Sequence, residues 1–325
     1  MKIRNLTFWI MAFMFSSCSY EFELNDINVG EKIVLYCMPC ADKDTTLIQL
    51  SRSVPVSKKG KLQNGISDAG INFMVNGKEQ SVYWNENATS SLPARCYYVL
   101  GRYNETDKVD IKVSAGGLPS VSSETVLPSS FPLKKVDIKL KREIDTKLQF
   151  LVTFQDNAYT EDYYGIRVMR RCIYTSVPDN EVTDIEYSDI EFEVDDEPLL
   201  YNKSGLNSAF DLSNDFYQNF YIWSDEQIRG KEYTLRLKTY YSMDNVSMWD
   251  GSNYKYSYKV YLYKLSRELY LYLKSVNDVK NNDLGHKGLA PIRSHYSNVE
   301  NGIGVVGGCR VIETEWICNV LTDIN

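Results

Sequence analysis

Gly70-Ile71-Asn72-Phe73-Met74-Val75-Asn76-Gly77 is the stretch whose pattern indicates the fold most directly. Its first six residues are mostly apolar and read as a short β-strand. Asn76-Gly77 then supplies two residues that accept a positive φ, as the tight turn of a hairpin requires. We expect the return strand near residues 80–84. The stretch therefore predicts an antiparallel β-hairpin.

Similar strand patterns recur on both sides of this hairpin. Val109 to Val113 alternates strictly between apolar and charged residues, which is typical of a half-buried strand. Ile33 to Tyr36 and Leu47 to Ser51 flank a polar turn, and residues 96–100 form an aromatic strand. Short strands at this spacing predict an antiparallel sandwich, so we expect an Ig-like β-sandwich domain over residues 29–117.

A stretch rich in glycine, serine and proline follows this predicted sandwich. It contains Gly116-Gly117, Pro119, Pro128 and Pro132, residues that favour turns and loops over regular structure. We therefore expect a linker at residues 118–132. A second β-rich domain is expected to follow it, over residues 133–325.

The predicted second domain combines strands with one helix. Strands are expected at residues 136–140, 148–154, 164–169, 233–240 and 255–265, and a glycine-rich strand at residues 301–308. The helix is expected near residues 266–280, because Ser266 can cap its first turn. Leu269, Leu273 and Val276 are spaced for one buried helix face. The chain is therefore predicted to be mainly β, with a helix near its carboxyl terminus.

The amino terminus has the features of a secretory signal. Lys2 and Arg4 precede an apolar run from Leu6 to Phe15, and small residues and Cys18 follow. As a helix the run would be roughly 15 Å long, about half of the ~30 Å hydrocarbon core of a membrane. We therefore expect residues 1–17 to be a cleaved signal peptide and not a membrane-spanning helix.

Phe15-Ser16-Ser17-Cys18 resembles a bacterial lipobox. The resemblance implies cleavage before Cys18 and lipid attachment to this cysteine, with residues 18–28 as an acylated tether. Several acyl chains, at roughly 0.8 kcal/mol per buried CH2, give stable anchoring. The acidic residues Glu21 and Glu23 resemble the signal that takes Bacteroidetes lipoproteins to the cell surface. The expected location is the outer membrane, lipid-anchored, on the cell surface.

Composition limits the possible partners. The 325 residues are 43% hydrophobic, which is enough for a real core, and the formal net charge is −7. A negative surface argues against nucleic acid as a partner and against docking on anionic lipid. The length suits one large domain or two ordinary ones.

Six cysteines remain after Cys18, an even number that permits disulfides in an exported protein. Their possible full pairings, fifteen by combinatorics, stay open. Cys37 and Cys40 have the spacing of a redox motif, but they follow a strand pattern, whereas a thioredoxin-like site lies at a helix start. A zinc site would need further close thiols or imidazoles, and the chain has 2 histidines. We therefore expect structural disulfides or buried thiols, no bound metal and no cofactor.

The chain is rich in aromatic residues, with 25 tyrosines. Strand packing explains most of them, since aromatic side chains pack broadly on a pleated sheet. Some could instead line a groove for a small molecule, a peptide or a glycan, because tyrosine is apolar with a polar tip. The candidates for such a ligand-binding surface are Trp223, Tyr240, Tyr241, Trp249 and Tyr254.

The acidic stretch from Glu181 to Glu197 could supply oxygen ligands to calcium. Ile190, Phe192 and Val194 alternate with acidic residues, however, so a half-exposed strand is the preferred interpretation. No nucleophile elbow, phosphate loop or His-Glu-x-x-His motif occurs in the sequence. We therefore expect a protein that is not an enzyme.

The order of several motifs resembles a known family of exported proteins. Residues 47–56 read Leu-Ile-Gln-Leu-Ser-Arg-Ser-Val-Pro-Val, and residues 265–272 read Leu-Ser-Arg-Glu-Leu-Tyr-Leu-Tyr. Ser297-Asn298-Val299-Glu300-Asn301-Gly302-Ile303-Gly304 is the most specific part. Together with the lipobox they resemble the Bacteroidetes lipoproteins grouped as family number 4249 of the domains of unknown function. The resemblance implies a β-rich, two-part lipoprotein and gives no catalytic residues.

Relatives in this family are often encoded beside TonB-dependent outer-membrane receptors. The resemblance therefore implies a non-enzymatic accessory or ligand-binding component of a TonB-dependent nutrient uptake system, with such a receptor as a possible partner. The alternative is a structural or adhesive β-sandwich lipoprotein of the cell surface that has no transport partner. Gene neighbourhood or a pull-down of the receptor would separate these two hypotheses.

Overall fold

The structure of the protein is a computed structural model. It describes residues 30–53, 65–90, 92–142, 145–176, 181–194, 196–200, 220–241, 252–280, 294–318 and 321–322. Within these residues the chain is mainly β, with one α-helix near the carboxyl terminus, so the predicted fold class is confirmed. No helix among the described residues is long and apolar enough to cross a membrane.

The first half of the described chain consists of strands alone. They are β1 (Ile33–Cys37), β2 (Thr45–Arg52), β3 (Gly70–Val75), β4 (Lys78–Gln80), β5 (Val82–Asn85), β6 (Cys96–Leu100), β7 (Lys108–Ser114) and β8 (Val121–Val126).

The second half adds ten strands and the helix. They are β9 (Leu133–Arg142), β10 (Thr146–Gln155), β11 (Tyr163–Ser176), β12 (Val182–Asp189), β13 (Tyr221–Ser224), β14 (Glu232–Tyr240), β15 (Ser252–Leu265), α1 (Arg267–Lys280), β16 (Ile303–Val306), β17 (Cys309–Glu313) and β18 (Leu321–Thr322).

Two sheets form the amino-terminal sandwich. The first has the strand order β16-β1-β2-β6-β5, and the second has the order β4-β3-β7-β8. Alternate residues of both sheets face one shared core, as the period of two in a strand requires. Leu35 and Ile48 enter this core from the first sheet, and Phe73 and Ile111 enter it from the second.

Two further sheets form the carboxyl-terminal sandwich. The third sheet has the order β14-β10-β9-β18, and the fourth has the order β12-β11-β15-β17, with β13 also paired to β11. Their shared core includes Phe150 and Leu235 from the third sheet, and Tyr164 and Val260 from the fourth. Phe150 and Tyr258 meet edge to face, with ring centroids 5.4 Å apart.

The predicted hairpin is present, but its return strand divides between two sheets. Asn76 and Gly77 have φ values of 50° and 76°, as the tight turn requires. β4 pairs with β3 in the second sheet, whereas β5 pairs with β6 in the first. The chain therefore passes from one sheet to the other at Ser81, and its two parts form neighbouring edge strands of the sandwich.

The stretch expected to be a linker contains a strand. β8 pairs antiparallel with β7, with Val113 opposite Val121 and Lys108 opposite Val126. Val121 is buried in the amino-terminal core, and Leu127 just beyond the strand is buried there too. Residues 121–127 of the expected linker 118–132 therefore belong to the amino-terminal sandwich, because every second residue of this segment is buried.

The glycine-rich strand returns from the far end of the chain to the first sheet. β16 pairs in parallel with β1, with Leu35 opposite Gly304 and Cys37 opposite Val306. A strand expected in the second domain therefore completes the first sheet of the amino-terminal sandwich. Three residues later β17 begins, and it pairs with β15 in the fourth sheet.

Helix α1 begins where its sequence predicts. The backbone N–H of Leu269 donates to Oγ of Ser266 at 3.3 Å, so Ser266 caps the first turn. Leu269 is buried, and Leu273 packs beside it against Tyr163, Ile222 and Leu265. The helix therefore covers part of the outer face of the fourth sheet.

Candidate functional site

An apolar cleft lies between the outer face of the fourth sheet and helix α1. Its volume is about 550 Å³. β11 and β15 form its floor, α1 contributes Leu269 and Leu273, and β13 contributes Ile222. Met38, which follows β1, lies at the mouth of the cleft and is 51% exposed. The cleft is thus bordered by segments from both ends of the chain.

The pairing of β11 explains why the cleft opens at this place. Along one edge, β11 pairs with β13 through Tyr163 to Ile166 and with β12 from Met169 onwards. Between these two partners the described residues add no further strand pairing to this edge, and the N–H of Ile190 donates to the carbonyl of Val168 at 2.9 Å. The neighbouring strands therefore diverge around Arg167 and leave a gap in the sheet edge.

Gly165 gives the floor its depth. It lies opposite Ile222 of β13 and Tyr263 of β15, on the side of β11 that faces away from the core. A Cβ at this position would lie 3.2 Å from Cγ2 of Ile222 and 3.7 Å from Cδ1 of Leu265. Any side chain here would occupy space between the sheet and the helix, so the glycine keeps the floor clear.

A charged pair lies at the rim of the cleft. Nε of Arg167 donates to Oδ1 of Asp189 at 2.6 Å, and Nη2 donates to Oδ2 at 3.1 Å. This two-pronged geometry satisfies both charges and orients the guanidinium. Glu191 adds a second carboxylate to the lining. With one positive and two negative groups, the lining carries a formal charge of −1.

Tyr263 supplies a neutral polar group to the floor. Burial raises the pKa of its phenol, the charge of the neighbouring Arg167 partly offsets this rise, and the resulting pKa is about 12. The hydroxyl is therefore protonated at neutral pH and can donate or accept a hydrogen bond. The cleft thus combines apolar walls, the neutral hydroxyl of Tyr263 and a charged rim.

The aromatic residues predicted to bind a ligand do not form one surface. Trp223 is 2% exposed and stacks on Tyr164 in the core, with centroids 5.9 Å apart, so it lines no groove. Tyr254 lies opposite Tyr174, ten positions along β11 from Tyr164. At about 3.3 Å per residue, the two sites are roughly 33 Å apart along the strand.

The remaining aromatic candidates also serve packing or lie elsewhere. Tyr240 is exposed, and its ring faces Nζ of Lys147 at 3.5 Å from the centroid. Tyr241 packs against the carboxyl-terminal core. Trp249 lies outside the described residues, as does the expected lipid attachment site, Cys18. Strand packing, the alternative considered for these aromatics, accounts for Trp223 and Tyr241.

The last two residues of the acidic stretch, Asp196 and Glu197, already have partners for their carboxylate oxygens. Asp196 forms ion pairs with Lys238 and Lys141. Glu197 is fully buried, and it accepts hydrogen bonds from the Tyr233 hydroxyl at 2.7 Å and the Arg236 N–H at 2.8 Å. Among the described residues, no group of three or more histidine, cysteine or acidic side chains is arranged to hold a metal ion.

The two cysteines of the Cys37-x-x-Cys40 motif lie in different surroundings. Cys37 is buried in the amino-terminal core, and burial raises the pKa of its thiol to about 12. Cys40 instead lies directly opposite Cys309, which lines the cleft. All six cysteines of the described residues carry free thiols in this structure.

Sequence reasoning missed the cleft because its lining comes from distant segments. The lining residues lie at positions 38, 165–167, 189–191, 220–222, 263, 265, 269, 273 and 309. The local signal that could have pointed to the cleft was Gly165, a glycine near the start of a strand, which indicates a close approach by another element.

One comparison with known proteins identifies a family, whose function is unknown. The search of curated proteins found no match. The family model described as "Domain of unknown function (DUF4249)" matches residues 19–315, which is most of the chain. Apart from β18, the strands of both sandwiches lie within the matched region, as do helix α1 and the cleft. The protein therefore belongs to the DUF4249 family.

Proposed function

We propose that this chain is an exported lipoprotein that binds a small, mainly apolar ligand in the cleft beside α1. In this proposal it serves as a non-enzymatic accessory of a TonB-dependent nutrient uptake system at the outer membrane. The observation that carries the proposal is the cleft itself. Its volume of about 550 Å³ lies within the roughly 300–1,000 Å³ that is usual for small-molecule sites.

The lining favours a particular chemical class of ligand. Apolar side chains from β13, β15 and α1 provide most of the contact surface, and the Tyr263 hydroxyl provides one hydrogen-bonding group. The formal charge of −1 on the lining disfavours an anionic ligand. A neutral or cationic molecule with a large apolar part therefore fits best.

Most of the cleft lining lies in regular structure. The floor is paired strand, with Gly165 opposite both Ile222 and Tyr263, and the helix that forms the other wall is capped by Ser266. Such a site is formed before the ligand arrives, so little binding energy is lost in ordering the protein.

The first residues of the chain support the cellular part of the proposal. The lipobox-like Phe15-Ser16-Ser17-Cys18 predicts a lipid on Cys18. A lipid anchor would hold the binding domain beside the membrane in which TonB-dependent receptors reside. The membrane and such a receptor are therefore the proposed partners, with the cell surface as the proposed location.

Binding in the cleft can be measured with Nile red, a neutral apolar dye. We expect saturable binding of one dye per chain. Met38→Arg places a charge at the mouth of the cleft and should weaken binding by about 1 kcal/mol or more, roughly fivefold in Kd. Val182→Arg is the matched control, since Val182 is 57% exposed on β12. Equal dye affinity in both variants would contradict the assignment of the cleft.

The anchor and the receptor require separate measurements. We expect the intact mass of the mature protein to show acylation at Cys18, and Cys18→Ala to release the protein from membranes. A pull-down from gently solubilised outer membrane should recover a large barrel receptor. An unmodified Cys18 would exclude the lipoprotein assignment. A lipidated protein without a receptor would instead favour the structural or adhesive alternative.

A further inference from the structure

Two cysteines far apart in sequence meet where the two sandwiches join. Cys40 and Cys309 form a parallel bridge between the segment that follows β1 and the first residue of β17. The N–H of Cys309 donates to the Pro39 carbonyl at 2.9 Å, and the N–H of Ala41 donates to the Cys309 carbonyl at 2.9 Å. These two hydrogen bonds place the cysteines directly opposite each other.

The backbone geometry at this bridge suits a covalent bond between the two side chains. Opposed residues on neighbouring strands are about 4.8 Å apart, which lies inside the ~4.4–6.8 Å between Cα atoms that disulfides require. The interaction between the two side chains lowers the pKa of Cys40 and raises that of Cys309, so the two thiols are neighbours. Little backbone movement is therefore needed to bring the sulfur atoms into bonding distance.

The pKa values of the two thiols favour disulfide formation. The hydrogen bond from Cys309 lowers the pKa of Cys40 to about 7, and burial works against it. The pKa of Cys309 is raised for the same reason, since it holds its proton toward Cys40. Cys40 therefore provides the thiolate, which is the form that attacks a disulfide.

The other described cysteines have different surroundings. Cys37 is buried in the amino-terminal core, and the Cys96 thiol donates to the Pro93 carbonyl at 3.2 Å. Cys172 lies within β11, opposite Tyr256 on β15 and Glu186 on β12. Cys318 is exposed near the end of the described chain. Among the described cysteines, Cys40 and Cys309 thus form the pair that lies directly opposite across a backbone bridge.

We propose that Cys40 and Cys309 form a disulfide that covalently ties the two sandwiches together beside the cleft. The oxidant is an external disulfide, either of a protein oxidoreductase or of a small thiol compound. The Cys40 thiolate attacks one of its sulfurs, forms a mixed disulfide and releases the first thiol. Cys309 then loses its proton and attacks the Cys40 sulfur, which releases the second thiol. Two protein thiols are oxidised, and one external disulfide is reduced.

The position of the bond determines what it controls. Residues 307–308 carry the chain from β16 in the amino-terminal sandwich to β17 in the carboxyl-terminal one. Cys309 also lines the cleft, beside the floor strand β15. The disulfide therefore fixes the junction of the sandwiches at the wall of the candidate site. Its formation needs an oxidising compartment, which the proposed export supplies.

Peptide mapping of the full mature protein tests the bond. Trypsin cleavage after Lys32, Lys43, Arg293 and Arg310 yields peptides 33–43 and 294–310. Without reductant, we expect these two peptides to be linked in protein isolated from the envelope of the producing cells. Because Cys37 shares the first peptide, Cys37→Ala should keep the link and Cys40→Ser should abolish it. Alkylation of both Cys40 and Cys309 in the exported protein would overturn the proposal.

Thermal unfolding provides a second readout, which does not depend on export. Reduced, purified protein treated with oxidised glutathione should gain the same linked peptides, and its Tm should rise by about 4–10 °C. Cys318→Ser should show the same rise, whereas Cys309→Ser should show none. Failure to form the linked peptides in this purified system would overturn the proposal that Cys40 and Cys309 are placed for a disulfide. A link formed here but absent from cells would exclude the bond in the exported protein and count against export.

Discussion

Gly304 belongs to the sequence signature Ser297–Gly304, and its backbone conformation is one that favours glycine. It has a φ of 121°, a conformation that residues with a side chain rarely adopt. A Cβ at this position would overlap the carbonyl oxygen of Leu35 and lie 2.8 Å from the carbonyl carbon. The glycine therefore allows β16 to approach β1 closely.

Asn298, in the same signature, uses its side chain to form the two hydrogen bonds that a neighbouring strand would form with Val306. Its amide donates to the carbonyl of Val306 at 2.8 Å, and its side-chain oxygen accepts from the Val306 N–H at 3.0 Å. The amide also reaches the carbonyl of Glu124 at 3.2 Å. Asn298 and Gly304 therefore have structural roles in this segment.

Substitution of Gly304 should be severely destabilising. We expect Gly304→Ala to lower the free energy of unfolding by about 3–4 kcal/mol or more, because it adds backbone strain to a backbone clash. Chemical denaturation followed by circular dichroism would measure this loss. Gly116→Ala is the matched control, since no heavy atom lies within 4 Å of its added Cβ. An equal, small effect of both changes would show that β16 tolerates a side chain there.

At the scale of elements, Ser266 connects the helix to both sandwiches. Its Oγ caps α1 and also accepts from the N–H of Gly308 at 3.2 Å. The Thr125 hydroxyl, next to the end of β8, donates to the same oxygen at 3.2 Å. The helix start, the chain between β16 and β17, and β8 are therefore joined through one buried hydroxyl.

Loss of this hydroxyl should cost more than loss of an ordinary cap. We expect Ser266→Ala to reduce stability by about 1–3 kcal/mol, since it removes a cap and a partner of two further buried groups. Lys274→Ala on the same helix removes only a partly exposed ion pair with Asp278, for which about 0.3–0.5 kcal/mol is typical. Thermal or urea unfolding compares the two variants. A Ser266→Ala loss no larger than that of Lys274→Ala would contradict the joining role.

The elements themselves were largely predictable, because local patterns determine them. Strict alternation from Val109 to Val113 became β7, and the cap and apolar spacing after Ser266 became α1. The pattern could not show that the return strand of the hairpin changes sheets at Ser81, since β4 and β5 differ only in which neighbour they meet. It also could not separate β8 from a linker, because its Ser-rich alternation contains few apolar residues.

At the scale of the molecule, the sequence order hides the architecture. Strand β1 has a partner on each side. β2 is close to it in sequence, whereas β16 lies some 270 residues further along the chain. No local pattern reports a pairing at that distance, so the glycine-rich strand was expected in the wrong sandwich. The same reason explains the missed cleft, whose walls meet only after the long-range pairing is made.

The segment 298–306 closes one side of the amino-terminal sandwich. β16 covers the edge of the first sheet, and the N–H of Glu300 donates to the Ser122 carbonyl of β8 at 2.8 Å, at the edge of the second. Val299, Val305 and Val306 are nearly fully buried. Their burial contributes roughly 5–9 kcal/mol, which is comparable to the ~5–15 kcal/mol stability of a whole domain.

A fragment that ends at residue 132 should therefore lack a stable fold, although it contains β1 to β8. We expect residues 29–132 alone to show no cooperative thermal transition and to aggregate, because β1 becomes an open edge strand. A synthetic peptide of residues 294–308, added in trans, should restore a cooperative transition with a saturable dependence on its concentration. The same peptide carrying Gly304→Ala should fail, since it cannot approach Leu35. A fragment that unfolds cooperatively at an unchanged Tm, with or without the peptide, would show that the amino-terminal sandwich is complete without the end of the chain.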